Sequence, residues 1–322
     1  MMHNRAKPGM RAEVQFAYDA STAISRGRRE RQEDAVASDF LAGTSLGFAV
    51  LADGMGGHAA GDIASKIVVT EVFSELKFRA DAPLELEQQI TQALSAAALA
   101  ANECIGHYAS QNADAGGMGA TLLAPVLFQD RLYWISIGDS PLYLFRDGRL
   151  TRLNDEHSLA AHLDARVAQG LLSPEEADNH PDRACLTSVL SGQDIPRIDC
   201  QNEPLNLRDG DIVIAASDGL QYLEDSEISA VLAAREEQSS TDIGAALMAC
   251  LDSLNDPDQD NISFCVIKVA DQLKPAEQVA KPAITPGPPP VSKPKSNTLT
   301  IMASASRSNG TTSFHIMNGD GA

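Results

Sequence analysis

The sequence lacks paired cysteines and paired histidines. Its 322 residues include five cysteines, which are widely spread and contain no Cys-x-x-Cys pair. A disulfide framework or a zinc site needs closer, paired spacing, so we expect reduced thiols in a folded core. The histidines outside the termini likewise show no close pair, which argues against a histidine-rich zinc site.

Long apolar runs are also absent. No run approaches the roughly 20 residues that a bilayer-spanning helix needs. The first dozen residues, MMHNRAKPGMRA, are basic but lack the apolar stretch of a secretory signal. We therefore expect a cytoplasmic protein with no membrane partner.

Basic residues are scarce. Asp and Glu together number 44 against 25 Lys and Arg, which gives a formal net charge of −19. Such a surface repels phosphate backbones and anionic lipid, so nucleic acid is excluded as the expected partner. With 43% hydrophobic residues, the chain can still bury a sizeable core. Two interpretations of the acidity remain: a plain soluble surface, or carboxylates gathered to hold metal.

Composition changes sharply after about Ala270. Residues 271–322 hold seven of the 16 prolines, including PGPPP at 286–290, and carry five basic and three acidic residues. A Pro-rich segment with few core residues predicts a disordered linker and tail. We expect a flexible N-terminus over residues 1–12, one folded domain over 13–270, and this tail over 271–322.

Turn residues separate short apolar runs that predict strands. These runs are 14–18, 46–52, 120–128, 131–137, 142–146, 212–216 and 262–269. The links Gln129-Asp130 and Asp147-Gly148 are hairpin signatures, so much of the sheet should be antiparallel. Helical periodicity covers about 61–78 and 84–111, and shorter helices are expected from Ser173 and near 226–235 and 241–254. This pattern indicates an α+β sandwich of sheets and helices.

Carboxylates stand where the predicted strands end. Asp53, Asp139 and Asp218 each follow an apolar run, Asp260 precedes one, and the pair Glu33-Asp34 lies just ahead of another. Single Asp-Gly pairs are ordinary turns, as expected for 147–148 and 209–210. If several strand ends converge, however, carboxylate repulsion raises pKa values unless cations neutralise it. Mg²⁺ and Mn²⁺ prefer such oxygen-rich sites.

Six blocks of sequence, taken in order, resemble the bacterial branch of the metal-dependent protein phosphatases, type 2C. The blocks are RRERQED, LADGMGGHAAG, GMGATLL, IGDSPLYLFRDGRLTRLNDEHSL, AASDGL and DQDNISF. The resemblance covers roughly residues 14–270. It implies a four-layer α-β-β-α sandwich of two antiparallel sheets flanked by helix pairs.

The resemblance also implies a set of metal ligands for two to three divalent ions, Mn²⁺ or Mg²⁺. These ligands are Glu33, Asp53, the carbonyl of Gly54, Asp139, Asp218 and Asp260. Asp53 would bridge two ions, Glu33 would act through water, and Asp139 would belong to a third site.

Three further residues take catalytic roles by the same resemblance. Arg29 would bind phosphate, with Arg28 and Arg31 as close rivals, and Asp34 would hydrogen-bond metal-bound water. His58 is either a general acid or a residue that caps its loop.

The chain departs from the family pattern at two places. The usual Gly-Asp-Ser-Arg block has Pro141 in place of the arginine, and Arg31-Gln32 replace the usual asparagines. Neither change removes a ligand. Residues 154–183 match the family's mobile segment beside the active site, where we expect either substrate selectivity or a plain helical insert, with His157 and Ser158 as anchors or substrate contacts.

The resemblance predicts a protein serine/threonine phosphatase that uses a metal-bridged hydroxide. Its expected partners are phosphorylated protein substrates and a Ser/Thr kinase in the same pathway, and we expect a monomer. The alternatives are a catalytically silent regulatory module on the same fold, or another two-metal phosphohydrolase such as a phosphodiesterase.

Overall fold

The computed structural model describes residues 16–41, 44, 46–56 and 60–271, together with the backbone of 301–308 and 311–318. The predicted flexible segment 1–12 and the candidate His58 lie outside the described residues. So does most of the predicted tail.

The strands follow the chain in thirteen segments of the described part. The first seven are β1 (Phe16–Ser25), β2 (Asp34–Phe40), β3 (Leu46–Met55), β4 (Gly119–Ala120), β5 (Leu122–Phe128), β6 (Arg131–Ile137) and β7 (Leu142–Arg146). The remaining six are β8 (Arg149–Arg152), β9 (Leu205–Asn206), β10 (Ile212–Ala216), β11 (Ile262–Asp271), β12 (Ile301–Ser308) and β13 (Thr311–Asn318).

Seven α-helices lie between the strands of the described part. They are α1 (Ala60–Arg79), α2 (Pro83–Gln88), α3 (Ile90–Gln111), α4 (Leu159–Ala168), α5 (Pro174–Asp178), α6 (Asp225–Ala233) and α7 (Ser240–Leu254). Two short 3₁₀ helices cover Ala113–Ala115 and Asp218–Tyr222.

Two antiparallel sheets organise the domain. The first has the strand order β1-β11-β10-β7-β8, and the second has β2-β3-β5-β6-β9 with β4 paired to β3. Both predicted hairpins are present, because Phe128 pairs with Arg131 and Arg146 pairs with Arg149. The links need left-handed backbone, with φ of 54° at Gln129, 51° at Asp147 and 75° at Gly148.

Apolar side chains fill three interfaces between four layers. Val50, Val126 and Ile135 of the second sheet pack against α1 and α3. Residues of the first sheet, including Phe264, pack against α6 and α7. The inner faces of both sheets meet through residues such as Leu123, and the result is an α-β-β-α sandwich.

The helix prediction for 84–111 is wrong in one respect. The segment divides at Gln89, whose φ of −120° and ψ of 20° are not helical, so α2 and α3 are separate. Strand β2 was not assigned from the sequence, and α4 lies in the segment 154–183, where a helical insert was one of the two expectations. β2 is half-buried along all but its first residue and contains two aspartates, Asp34 and Asp39, so its sequence gives a weak strand pattern.

Two paired strands lie in the part of the predicted tail that the structure describes. Ile301–Ser308 and Thr311–Asn318 pair as an antiparallel hairpin, which differs from the expectation of a tail without regular structure. The alternating run TTSFHIMN has the two-residue period that suits a strand. The boundaries of the three segments stay a prediction. Within the described residues, no helix is both long and apolar enough to cross a bilayer.

Leu123 tests the central layer, because it is fully buried between the two sheets. Leu123→Ala should lower the free energy of unfolding by about 2 to 5 kcal/mol, since it leaves a cavity in a packed interface. Urea unfolding followed by circular dichroism measures this. The control is Leu171→Ala, whose side chain is 63% exposed. Equal effects of the two variants would contradict the assigned interface.

Candidate metal centre and active site

Strand ends from both sheets bring four carboxylates to one edge of the sandwich. Asp34 begins β2 and lies directly opposite Asp53 of β3, so their side chains share one face of the sheet. Asp218 follows β10 and Asp260 precedes β11, and these two strands are antiparallel neighbours. The prediction that these strand ends converge therefore agrees with the geometry.

A buried serine joins the two sheets at this edge. The Ser217 hydroxyl donates to Asp34 Oδ2 over 2.7 Å and accepts from the Ser263 backbone N–H over 3.0 Å. Asp34 Oδ1 is buried and has no hydrogen-bond partner. An unpaired buried carboxylate oxygen is costly, so this atom is positioned for a water or a cation.

Crowding perturbs the acidity of these groups. Burial and the neighbouring carboxylates of Asp34 and Asp218 raise the pKa of Asp53 well above its usual range. Burial raises the pKa of Asp34 to about 7 against the hydrogen bond from Ser217. The pKa of Asp218 is raised by burial and by Asp260. Because these crowded carboxyl groups resist ionising at the same time, the site favours binding of a cation that neutralises their charge.

Asp139 joins the same cluster from the loop after β6. Burial and the Asp218 carboxylate raise its pKa to about 7. The preceding Gly138 has a φ of 113°, and a Cβ there would lie 2.6 Å from the Thr121 side chain. From the end of β8, Arg152 donates to the Asp139 carbonyl over 2.6 Å. An arginine from another strand thus supports the loop that has Pro141 in place of the usual arginine.

Thr121 connects Asp53 with the Asp139 loop. Its Oγ1 accepts from the Asp53 backbone N–H over 2.9 Å and lies 3.0 Å from the Ser140 hydroxyl. The Thr121 N–H also donates to the Asp53 carbonyl over 2.8 Å. Thr121 and Ser140 are both buried. The positions of the two aspartates are therefore fixed relative to each other.

The loop that carries Arg29 and Glu33 is held by Asn261. Asn261 Oδ1 accepts from the Glu33 N–H over 2.6 Å, and its Nδ2 donates to the carbonyls of Arg26 and Arg31, each over 2.9 Å. This asparagine is buried and directly follows Asp260. One side chain therefore places the whole loop against the carboxylate cluster.

Gly54 lies beside Glu33, where close backbone packing leaves no room for a side chain. A Cβ at Gly54 would lie 2.0 Å from the Gly61 carbonyl oxygen and 2.7 Å from that of Glu33. The Gly54 N–H donates to the Glu33 carbonyl over 3.0 Å. Burial raises the pKa of Glu33, and the charge of Arg29 opposes this. Gly54 and Glu33 thus lie together beside Asp53.

Arg29 is the arginine of its loop that reaches the carboxylates. Its Nη2 lies 2.6 Å from Asp260 Oδ2, while the rival Arg28 donates from Nη2 to Asn255 Oδ1 over 3.4 Å. The side chain of Arg29 remains 57% exposed. A guanidinium that is anchored but open to solvent suits an incoming anion.

The segment 154–183 is anchored at its beginning by buried residues. His157 Nδ1 accepts from the Gly138 backbone N–H over 3.2 Å, and the His157 backbone N–H donates to the Gly138 carbonyl over 2.9 Å. Asn154 accepts from the Leu142 N–H and donates to the Ser140 carbonyl. Ser158 donates to Glu156. In this structure His157 anchors the segment to the Asp139 loop, and the Ser158 side chain bonds within the segment.

The donor set suits hard divalent cations. No group of three or more Asp, Glu, His or Cys side chains in the described part of the chain is already arranged to hold a metal ion. The chemistry fits nevertheless, because the orphaned Asp34 oxygen and the raised pKa values of Asp53, Asp139 and Asp218 call for positive charge. Mg²⁺ and Mn²⁺ take few carboxylates each and keep several waters.

Three residues that shape this site were not singled out from the sequence. Thr121, Ser217 and Arg152 act through hydrogen bonds to residues far away in the chain. All three lie in blocks that carry the family resemblance: Thr121 in GMGATLL, Arg152 in IGDSPLYLFRDGRLTRLNDEHSL and Ser217 in AASDGL. These blocks were the available signal, but they do not show which residues the three side chains bind.

Comparisons with a family model and with known proteins point to the same family. The family model described as Protein phosphatase 2C matches residues 24–260. The serine/threonine protein phosphatase PstP of Mycobacterium tuberculosis is 35% identical over 195 residues, covering 60% of this chain and 34% of PstP. A 2C-type phosphatase of Streptococcus pyogenes is 34% identical over 223 residues, covering 66% of this chain and 83% of that protein.

A solved structure agrees in fold. The catalytic domain of PstP in complex with two manganese ions superimposes with a TM-score of 0.62 at 29% identity, covering 80% of this chain and all of that domain. This chain spans about a third of the length of full PstP.

Asn261 supplies a test of how the site is positioned. Asn261→Ala removes three hydrogen bonds to the loop that carries Arg29 and Glu33. We expect the Mn²⁺ concentration that half-saturates the protein to rise by about 10-fold or more, as for residues that orient ligands. Calorimetric titration of Mn²⁺ into each folded variant measures it.

The matched control is Asn102→Ala. Asn102 is also buried and makes three hydrogen bonds, to the backbone of Ser191, Gly192 and Gln193. Both variants should lose similar stability, but the Mn²⁺ requirement should rise only for Asn261→Ala. An unchanged requirement in a folded Asn261→Ala protein would refute the positioning role.

Proposed function

We propose, because the chain belongs to the protein phosphatase 2C family, that it is a metal-dependent protein serine/threonine phosphatase acting on phosphoserine and phosphothreonine. The family and the α+β sandwich predicted from the sequence are confirmed. The names of the relatives and the two manganese ions in the PstP catalytic domain support phosphoprotein phosphatase activity with Mn²⁺ or Mg²⁺ for this chain.

The observation that carries this proposal is the carboxylate cluster with an arginine at its rim. Asp34, Asp53, Asp218 and Asp260 meet at one edge, and Arg29 contacts Asp260 from an exposed position. A phosphomonoester dianion needs positive charge on its oxygens and an activated water. Glu33, Asp53, Gly54, Asp139, Asp218 and Asp260 are the residues that we propose would hold the ions.

Bound Mn²⁺ or Mg²⁺ supplies positive charge for the phosphate oxygens and activates a water for attack on phosphorus. Arg29 orients the phosphoryl group through paired N–H donors, which point to the same edge as Asp260. Asp34 accepts a hydrogen bond from the attacking water at its unpaired Oδ1, while Ser217 fixes Oδ2. This arrangement holds the water on one face of the phosphorus.

The alternative functions fit the site less well. A silent regulatory module has no physical need for four mutually repelling carboxylates, since their crowding costs stability without a cation. A nucleic-acid phosphodiesterase needs a basic groove, whereas this chain carries a net charge of −19. The phosphatase function uses every charged residue of the cluster.

Several finer statements belong to the same proposal. We propose that the physiological substrates are phosphoproteins of a pathway that contains a Ser/Thr kinase, and that the chain acts in the cytoplasm as a monomer. We also keep His58 as a candidate general acid, next to its alternative role as a residue that caps its loop. The family assignment supports the phosphoprotein substrates directly.

Asp218→Asn tests the proposed function. The substitution keeps the shape of the side chain and removes one charge from the cluster, so Mn²⁺-dependent hydrolysis of a phosphothreonine peptide should fall by about 100-fold or more. Release of inorganic phosphate with excess Mn²⁺ is the measurement. Circular dichroism confirms that the variant is folded.

The matched control is Asp147→Asn, at the exposed hairpin turn between β7 and β8. It removes the same charge at a distance from the cluster and should leave hydrolysis unchanged. No hydrolysis by the wild-type protein, or equal hydrolysis by wild type and Asp218→Asn, overturns the proposal.

A further inference from the structure

A basic loop stands out on this acidic chain. Residues 26–31, RGRRER, contain four arginines and one glutamate. All four arginines are exposed: Arg26, Arg28, Arg29 and Arg31. We call residues 26–31 the arginine loop.

The arginine loop is held in one conformation. Asn261 Nδ2 donates to the carbonyls of Arg26 and Arg31, which are the two ends of the loop. The Arg28 N–H donates to the Gln259 carbonyl over 2.9 Å. Gly27 has a φ of 58°, and a Cβ there would lie 2.0 Å from the Asp260 carbonyl oxygen. The exposed guanidiniums therefore project from a fixed backbone.

The arginine loop also borders the site. Arg29 contacts Asp260 directly, and Glu33 follows the loop by two residues. Arg28 extends the other way, toward Asn255 in the turn after α7. The loop therefore places positive charge at the rim of the carboxylate cluster.

Three of the four guanidiniums form no ion pair with the residues that the structure describes, although the charge of Arg31 opposes the rise in the pKa of Glu33. Among the described residues, Arg29 forms the one ion pair of this loop, while Arg26, Arg28 and Arg31 form none. Acidic residues outnumber basic ones in this chain, so pairing partners are plentiful. Unpaired arginines on a fixed loop are suited to an external anion.

We propose that Arg26, Arg28 and Arg31 bind anionic side chains that flank the phosphorylated residue of a protein substrate. Guanidinium groups bind carboxylates and phosphates through paired hydrogen bonds. The remaining acidic surface repels anionic peptides, so the arginine loop is where such a peptide gains contact. This inference rests on the proposed phosphatase function and names its substrate class: phosphopeptides with acidic residues or a second phosphate beside the target.

Three phosphothreonine peptides of equal length test the inference. One has neutral flanking residues, one has glutamates in those positions, and one has a second phosphothreonine. The measured quantity is kcat/KM with saturating Mn²⁺, expressed as the ratio of each anionic peptide to the neutral peptide. Comparison of the two ratios distinguishes carboxylates from phosphate as the anion.

The test variant is Arg26→Gln with Arg28→Gln, which leaves Arg29 at the cluster and Arg31 beside Glu33. The control is Arg149→Gln with Arg208→Gln, which removes two exposed arginines near the Asp147-Gly148 turn. That turn lies at the opposite end of β7 from Asp139. Both double variants change the net charge by the same amount.

We expect wild type to favour at least one anionic peptide, and the preference to fall by about three- to tenfold in the test variant, mainly through KM. The preference should persist in the control and weaken at high salt. A wild-type ratio of one or less, or equal loss in test and control variants, overturns the inference. Failure of the proposed function is a different result, because wild type would then hydrolyse none of the three peptides.

Discussion

Repulsion among carboxylates at the edge shared by the two sheets is the constraint on which this structure depends. Asp34 and Asp53 face each other across β2 and β3, and Asp218 and Asp260 come from neighbouring strands of the other sheet. Burial and the neighbouring charges raise the pKa values of Asp34, Asp53 and Asp218, with Asp34 at about 7. Such a cluster costs stability in a metal-free protein, and the divalent cations that we propose would offset this cost.

Neutral polar side chains keep the cluster in place. Asn261 holds the loop that carries Arg29 and Glu33, Ser217 joins Asp34 to the opposite sheet, and Thr121 joins Asp53 to the Asp139 loop. Hydroxyl and amide groups add no charge to a site that already has too much of one sign. Each of these three side chains is buried and has little freedom to rotate. Their hydrogen bonds therefore hold the cluster in a fixed arrangement.

The sequence predicted the parts of the site that local patterns determine. Hairpins at Gln129-Asp130 and Asp147-Gly148 follow from turn chemistry, and aspartates at strand ends follow from apolar runs that stop at them. The break at Gln89 was missed because the helical pattern of the sequence continues through this residue. The strand β2 was missed because a half-buried strand gives only a weak alternating pattern. The role of Thr121 was missed because its partners, Asp53 and Ser140, lie far from it in the chain.

The central claim is that divalent cations bind the cluster and lower the raised pKa values of its carboxyl groups. Calorimetric titration of Mn²⁺ into the metal-free protein at pH 6.5, repeated in two buffers of different ionisation enthalpy, measures both binding and proton release. Asp139, one of the proposed ligands, has a pKa of about 7, so it is largely protonated at this pH and must lose its proton to hold metal. The account predicts at least two Mn²⁺ per chain with net proton release that disappears above pH 8. Absence of binding, or binding with the same heat in both buffers at pH 6.5, would contradict it.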